Sequence, residues 1–398
     1  MARVVSSVLR EQPAKQGVLM NVTISGITGS AYKKIAKPIL FLQKPDGIHT
    51  RMIAASKVLQ RIAPVRSIIR TSWAYQNETM LQQTVAGVTF KNPIGLSAGF
   101  DKSFEVPEMI KAVGFGFMEG GSMTYDVCEG NPRPWFYRLP KTESLVVYAG
   151  LANTGSAESI ARIKGYSLDV FKDFPLNISV AKTNSPQAAS EAEAIADYIG
   201  SLKRIKAACV GQIITLNISC PNTFGGEPFT TPEKLERLLG AVDGVKLKQP
   251  IFIKMPSGLS WKEYESLLKV AAKHAVTGLT VSNLAKDRSK IDLKDELPDT
   301  VKGNLSGRPT AKLSNDLIKQ TYQTFGDRFI ISGVGGVFLA EDAYEKIRLG
   351  ATLVQLVTGL IFEGPQLIGQ INKGLVRLLE RDGYTHISQA IGVDAQNK

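Results

Sequence analysis

Apolar and polar positions along the chain fall into two regimes. Up to residue 30 the sequence is polar, carries Gly and Ser, and shows no sustained period, so residues 1–30 read as a flexible basic N-terminal tail. From 31 to 82 apolar residues recur at helical spacing. Ile35, Ile39 and Leu42 share one face, Pro45-Asp46-Gly47 reads as a turn, and Ile48, Met52, Ala55, Leu59 and Ile62 share a second face. Pro64 should break or kink that second pattern. The segment 31–82 therefore predicts a helical hairpin, rimmed by Arg51, Lys57, Arg61, Arg66 and Arg70. Such a pair suits either a membrane surface or a docking position on the main domain.

After Val85-Ala86-Gly87-Val88, short apolar runs alternate with longer helical patterns. Strands are expected over Ile94–Ala98, Gly116–Gly120, Leu176–Val180, Ile213–Ile218, Ile251–Met255, Gly278–Ser282, Phe329–Ser332 and Leu353–Val357. Helices are expected over Val106–Val113, Ala157–Ile163, Ala188–Lys206, Pro232–Val245, Trp261–His274, Asn315–Thr324, Ala340–Leu349 and Pro365–Leu379. Eight such alternations predict an α/β fold, a (β/α)8 TIM barrel over 83–382 with an N-terminal helical extension and a C-terminal tail at 383–398. A doubly wound sheet is the alternative; eight repeats and a phosphate-type turn late in the chain favour closure. Two insertions, Asp126–Thr154 and Lys286–Arg308, should form loops or a small β excursion over the barrel mouth.

Composition narrows the chemistry. The chain of 398 residues is 43% hydrophobic and 21% charged, as in a soluble globular protein. A net charge of +12 suits anionic partners, phosphate or carboxylate above all, and the absence of zinc-finger spacing and of long Lys/Arg blocks argues against nucleic acid. Cys128, Cys209 and Cys220 form no CxxC pair, and His49, His274 and His386 are scattered, so no metal site is expected. No apolar run is long enough to span a membrane. The acid-poor start is open to two readings, a transit peptide or a tail.

Barrel sites form at the carboxyl ends of the strands. Standing there are Ser97–Lys102, Gly121-Ser122, Lys182-Thr183-Asn184, Asn217 to Asn222, Lys254, Ser282-Asn283, Ser332 to Gly336, and Thr358-Gly359. The set is rich in amides, hydroxyls, lysines and glycines. It lacks the paired acids of glycoside hydrolysis. Gly333-Val334-Gly335-Gly336 between a strand and a helix, with Thr358-Gly359 after the eighth strand, reads as a phosphate site; a tight β-to-α turn is the plainer reading. Leu216 to Thr223 places two carboxamides and a thiol at the end of the fourth strand. This is either a turn with an inert Cys or a site that reads a planar ring and moves a proton.

At this point the motifs resemble the dihydroorotate dehydrogenase family. The resemblance rests on Phe90–Lys102, Glu129–Pro134 with Arg138-Leu139, Asn217–Thr223, Leu305–Pro309, Ile331–Gly336, and Gly350–Leu356 through Phe362–Pro365, and it covers roughly residues 36–382. It implies an FMN-dependent enzyme oxidising dihydroorotate to orotate in pyrimidine synthesis. By the same resemblance Cys220 is the base that takes the C5 proton while the C6 hydride passes to FMN. Lys102, Asn217, Asn222 and Asn283 contact substrate. Ala98, Gly99, Ser122, Lys254, Ser282, Gly307, Gly335, Gly336 and Thr358 contact FMN, and closure of the loop Thr223–Thr231 activates the thiol.

The subtype is mixed. The N-terminal helices, Arg138 and Phe362-Glu363-Gly364-Pro365 resemble the quinone-reducing class, in which Arg138 lies on the quinone path and the protein sits peripherally on the cytoplasmic side of a membrane. A Cys base followed by Gly-Gly resembles the soluble cytoplasmic class, coupled to fumarate or NAD. Two departures stand out: Val147, where the family usually places a substrate-binding Asn, and Val357, where the quinone class usually has Tyr. A related FMN enzyme acting on another dihydropyrimidine, or a flavin-binding relative without turnover, are the alternatives. The first expectation is the quinone-linked enzyme.

Overall fold

The computed structural model describes residues 24–396 apart from Pro221 and Gly225. Eight parallel strands close into a barrel in chain order: β1 (Ile94–Leu96), β2 (Phe117–Met123), β3 (Leu176–Val180), β4 (Ile213–Asn217), β5 (Ile251–Lys254), β6 (Val276–Val281), β7 (Ile330–Val334) and β8 (Leu353–Leu356). The expected (β/α)8 barrel is what forms. Its staves are short runs of Ile, Val, Leu and Phe buried on both faces, as parallel strands under a helical coat require. Capping boxes start two of the outer helices, Ser190 with Glu193 before Glu191–Ala208 and Ser260 with Glu263 before Trp261–Ala271.

The interior is layered. At the amino end the antiparallel hairpin Gln83–Val85/Val88–Phe90 closes the floor. Val85 and Phe90 pack there with Phe117, Ile213, Phe252 and Leu353 as an apolar cluster separate from the main core. Side chains alternate along a strand, so two residues further on the same faces carry Glu119, Thr215, Lys254 and Gln355, all buried. The floor is thus apolar, and the layer towards the carboxyl rim is polar.

The two insertions, each expected as loops or a small β excursion, meet in one small sheet. Phe136–Leu139 and Ser144–Val147 pair as a hairpin, and Asn304–Leu305 joins its outer edge, with Asn304 opposite Val147.

The N-terminal region differs from the expected tail and hairpin. Residues 1–23 lie outside the described residues. Residues 24–30, expected in the tail, instead begin a helix running through a π turn, Tyr32–Ala36, to Phe41. Tertiary contact overrides weak propensity here: Gln370 donates to Ser25 O, and Gly29 packs so close to Gln366 that a Cβ would approach it to 2.9 Å. Helices Pro45–Leu59 and Ala63–Trp73 follow, Pro45 and Pro64 each in a first turn. Pro64 therefore marks a break, and the region holds three main helices rather than two. At the other end Ile387, Ala390 and Ala395 are buried, so residues 383–396 pack against the barrel. No helix among the described residues is long and apolar enough to cross a membrane.

Candidate active site

The carboxyl end of β4 gathers three carboxamides. Asn217 closes the strand; its Nδ2 donates to Ser122 Oγ (2.9 Å) and its Oδ1 accepts from Ser219 Oγ (3.1 Å). The Tyr198 hydroxyl holds the Asn217 carbonyl (2.8 Å). Asn283, just beyond β6, donates Nδ2 to the carbonyl (2.7 Å) and hydroxyl (2.8 Å) of Ser219. Asn222 donates Nδ2 to Val147 O (3.0 Å). Rigid strands thus hold Asn217 and Asn283 around Ser219, and Asn222 is tied to the small sheet.

Cys220 is half-buried between these amides. Burial pushes its thiol up to about 11, aided by the Glu227 carboxylate; the Asn222 backbone and the Lys254 and Lys182 ammoniums pull it back. The loop that follows is fastened to the end of β3. Lys182 Nζ donates to Phe224 O (2.7 Å), and Phe224 N donates to Asn184 Oδ1 (2.5 Å). Lys286 pairs with Glu227 further along. Lys182, collected from sequence only as a strand-end residue, therefore both anchors this loop and favours the thiolate.

Lys102 follows β1. Its Nζ is buried without a hydrogen-bond partner, 5.2 Å from the Phe136 ring centre and 5.7 Å from that of Trp135. Burial lowers its pKa to about 8, against the Asp101 and Asp46 carboxylates, which raise it. A buried cation with no partner is costly unless a ligand anion meets it. His49, on the helix Pro45–Leu59, packs edge-on to Phe100 (5.6 Å), and its Nε2 lies 3.0 Å from Phe100 O. Burial, with nearby Lys102, lowers its pKa to about 3, so the ring is neutral and donates to that carbonyl. Asp46 of the same helix accepts from Trp135 N (2.9 Å) and Phe136 N (3.3 Å), so the N-terminal helices hold the wall beside Lys102.

The polar layer inside the barrel is only partly satisfied. Glu119 Oε2 accepts from Gln355 Nε2 (2.9 Å) and Thr215 Oγ1 (3.3 Å). Glu119 Oε1, Asn177 Oδ1, Thr280 Oγ1, Ser332 Oγ and Gln355 Oε1 are buried without partners. Lys254 ends β5 in this layer, its pKa lowered by burial. Ser282 is buried just past β6. Orphaned polar atoms on five staves are what a ring with hydrogen-bonding edges would satisfy.

Beyond β7 the chain turns through Gly335 (φ +115°) and Gly336 (φ +71°). A Cβ at Gly335 would sit 2.6 Å from Thr310 Oγ1, and one at Gly336 2.4 Å from Ala311 Cβ. Glycine is required because the helix Ala311–Phe325 begins against this turn. Gly307 stands just before that helix start, and Thr358, first in the helix Thr358–Glu363, donates to Ser306 Oγ (2.9 Å). Two helix starts and a glycine turn therefore converge, the arrangement that favours a phosphate. Ala98 and Gly99 lie past β1, where Gly99 N donates to Gly121 O (2.9 Å) beside Ser122.

Arg138, on Phe136–Leu139, donates to Gln43 O (2.6 Å) and Phe41 O (3.2 Å), with its guanidinium 4.6 Å from the Phe41 ring centre. It fastens the end of the first N-terminal helix to the small sheet. Val147 belongs to an apolar cluster with Leu145, Phe338, Phe362, Phe41 and Ile361. Among the described residues no group of three or more His, Cys, Asp or Glu could hold a metal ion.

Sequence reasoning missed Asn177, Glu119, Gln355, His49 and Asn304. A signal existed for the first three: each is a large polar residue in a short buried stave, where a barrel interior calls for Val, Ile or Leu. Asn304 gave none, sitting on a two-residue strand within an insertion.

Fold and rim together define the class of a (β/α)8-barrel enzyme, with amides, lysines, a thiol and a glycine turn gathered at the carboxyl ends of its strands. The chain belongs to the dihydroorotate dehydrogenase family, whose model matches residues 80–379. It is 33% identical over 366 residues to a dihydroorotate dehydrogenase (quinone) of Nocardia farcinica, covering 89% of this chain and 95% of that one. It is 36% identical over 359 residues to a dihydroorotate dehydrogenase (quinone) of Rhizobium etli, covering 88% and 93%. The ferulenol complex of DHODH from Eimeria tenella superposes with a TM-score of 0.78 at 24% identity, over 89% of this chain and 96% of that one, a likeness of fold.

Proposed function

We propose that this chain oxidises dihydroorotate to orotate, with FMN as its resident cofactor and a quinone as electron acceptor, in the synthesis of pyrimidines. The observation that carries the reading is Lys102: a buried ammonium without a hydrogen-bond partner, past β1 on the same carboxyl rim of the barrel that carries three carboxamides and a thiol, in a chain of this family. FMN, when bound, supplies the hydride acceptor and hands the electrons on. The residues present fit it. The unpartnered oxygens of Asn177, Thr280 and Ser332, with Ser122, Lys254 and Ser282, would hold the ring. Gly307, Gly335, Gly336 and Thr358 would hold the phosphate, and Ala98 and Gly99 would flank the ring.

In this reading Lys102 binds the substrate carboxylate, and Asn217, Asn222 and Asn283 pair with the amide edges of the ring. Cys220 takes the C5 proton, and Lys182 and Lys254 favour the thiolate that accepts it. The loop tied down at Phe224 keeps water from the thiol.

The N-terminal helices are the membrane-facing element of the proposal. Ile35, Ile39 and Leu42 are exposed, Leu42 at 89%, and Lys33, Lys34 and Lys37 lie on the same segment. Arg138, by fixing the end of that helix, frames the quinone's approach.

The test is anaerobic addition of dihydroorotate to purified protein, followed by ubiquinone, menaquinone, fumarate or NAD. The expected result is bleaching of the flavin and reoxidation by a quinone. A flavin that stays yellow refutes the substrate; reoxidation by fumarate or NAD alone refutes the acceptor. Deleting residues 1–43 should abolish sedimentation with anionic vesicles and slow quinone reduction at least about tenfold while leaving bleaching intact.

A further inference from the structure

Asn222 is held by more than the small sheet's backbone. Its Nδ2 donates to Val147 O (3.0 Å), a backbone carbonyl that can only accept. That bond fixes which end of the carboxamide is nitrogen, so Oδ1 faces the other way. There it accepts from Asn304 Nδ2 at 3.0 Å. Asn304 reaches this place because its strand pairs antiparallel with Ser144–Val147, putting it directly opposite Val147. Its partner side chain lies instead in the apolar cluster with Phe338 and Phe362. The carbonyl of Asn222 accepts in turn from Asn131 Nδ2 (3.0 Å), and Asn131 Oδ1 from Asn184 Nδ2 (3.3 Å). Four carboxamides thus run from the insertion after β6 to the end of β3.

We infer that Asn304 is a positioning residue for substrate recognition: it locks the Asn222 carboxamide in one of its two orientations. An Asn side chain has two N–H groups and an oxygen with two lone pairs. Val147 takes one N–H and Asn304 occupies one lone pair. One N–H and one lone pair remain, a donor and an acceptor side by side. That pair matches an amide edge of a pyrimidine ring, which presents N–H beside C=O. Rotating the carboxamide by half a turn inverts the edge, and donor would then meet donor. The ligand class is an amide-edged six-membered ring. The inference rests on the dihydroorotate reading and goes beyond it by assigning the residue that sets the polarity of that edge.

The test compares wild type with Asn304→Asp and Asn304→Ala, all as FMN-loaded full chains, and reads orotate affinity by calorimetric titration. An ionised carboxylate at 304 offers only lone pairs to Asn222 Oδ1. It drives the carboxamide to rotate or lose Val147, so Asn304→Asp should weaken orotate about tenfold or more near pH 8. Alanine leaves Val147 O as the one remaining hold on the carboxamide's orientation and should weaken it by roughly threefold. On lowering the pH to about 5 the carboxyl begins to take a proton and regains a donor, so the Asn304→Asp penalty should shrink while the Asn304→Ala penalty stays constant. A residue that merely supported the fold would show no such convergence. Wild-type affinity in both variants, or a penalty in Asn304→Asp that does not change with pH, overturns the inference. Bleaching of the wild-type flavin by dihydroorotate is read on the same preparations. If wild type bleaches and the variants bind orotate normally, the role of Asn304 alone falls; if wild type does not bleach, the substrate reading falls and takes this inference with it.

Discussion

Raising the pH should accelerate proton abstraction by Cys220 in proportion to its ionised fraction. Its thiol lies near 11, so at about pH 7 it is four units below that value, and about one molecule in ten thousand carries a thiolate. At about pH 9 the fraction is about one in a hundred, a hundredfold gain. Flavin reduction at saturating dihydroorotate, followed by stopped flow, should therefore rise about tenfold per pH unit across that window. Saturation matters because Lys102, held near 8, begins to lose its charge within the same window, which weakens substrate binding but not the saturated step. Lys182→Met supplies the internal control. Its ammonium favours the thiolate, so removing it should carry the whole profile to higher pH and slow reduction several-fold at any one pH, by roughly the effect of one nearby charge. Cys220→Ser should slow reduction at least about a hundredfold at pH 8, since a hydroxyl is a much weaker acid than a thiol. A wild-type rate that is flat between pH 7 and 9, or a Lys182→Met profile superposing on wild type, would refute the assignment of the proton to this thiol.

Two further outcomes follow from the geometry. Lys102→Met should weaken orotate about a hundredfold in a calorimetric titration, yet raise the thermal midpoint at pH 7, because a buried, unpaired cation is removed. The sign follows from the folded value of about 8 lying below the ordinary 10.5: the charge destabilises the fold fully below pH 8, and the gain from Met should fade between 8 and 10.5. Gly335→Ala places a Cβ 2.6 Å from Thr310 Oγ1 at φ +115°, a strain of about 1–3 kcal/mol. FMN retained after desalting should fall about tenfold, and full retention would refute the role given to that turn.

Much of this was legible in the chain because parallel staves are continuous apolar runs and helices between them carry a different period. The strand ends then locate the rim, which is why Cys220, Asn217, Asn283 and Lys102 could be collected before any coordinates. Three things were not legible. Residues 24–30 are Gly- and Ser-bearing and form a helix only because Gln366 and Gln370 meet them across the fold. Asn177, Glu119 and Gln355 stand out in the sequence as large polar residues in buried strands, but that they share one layer shows only in the closed barrel. Asn304 acquires meaning only through strand pairing across some 157 residues of chain, from 147 to 304, which no local pattern encodes.

The layered interior has an evolutionary consequence. The floor of Phe90, Phe117, Ile213, Phe252 and Leu353 answers to volume alone, so compensating exchanges among large apolar residues there can drift while catalysis is preserved. The layer above answers to hydrogen-bond partners and has little room for drift without loss of ligand. Stability and chemistry are thus written into different storeys of the same eight strands, and lineages can retune thermal tolerance through the lower one without touching turnover.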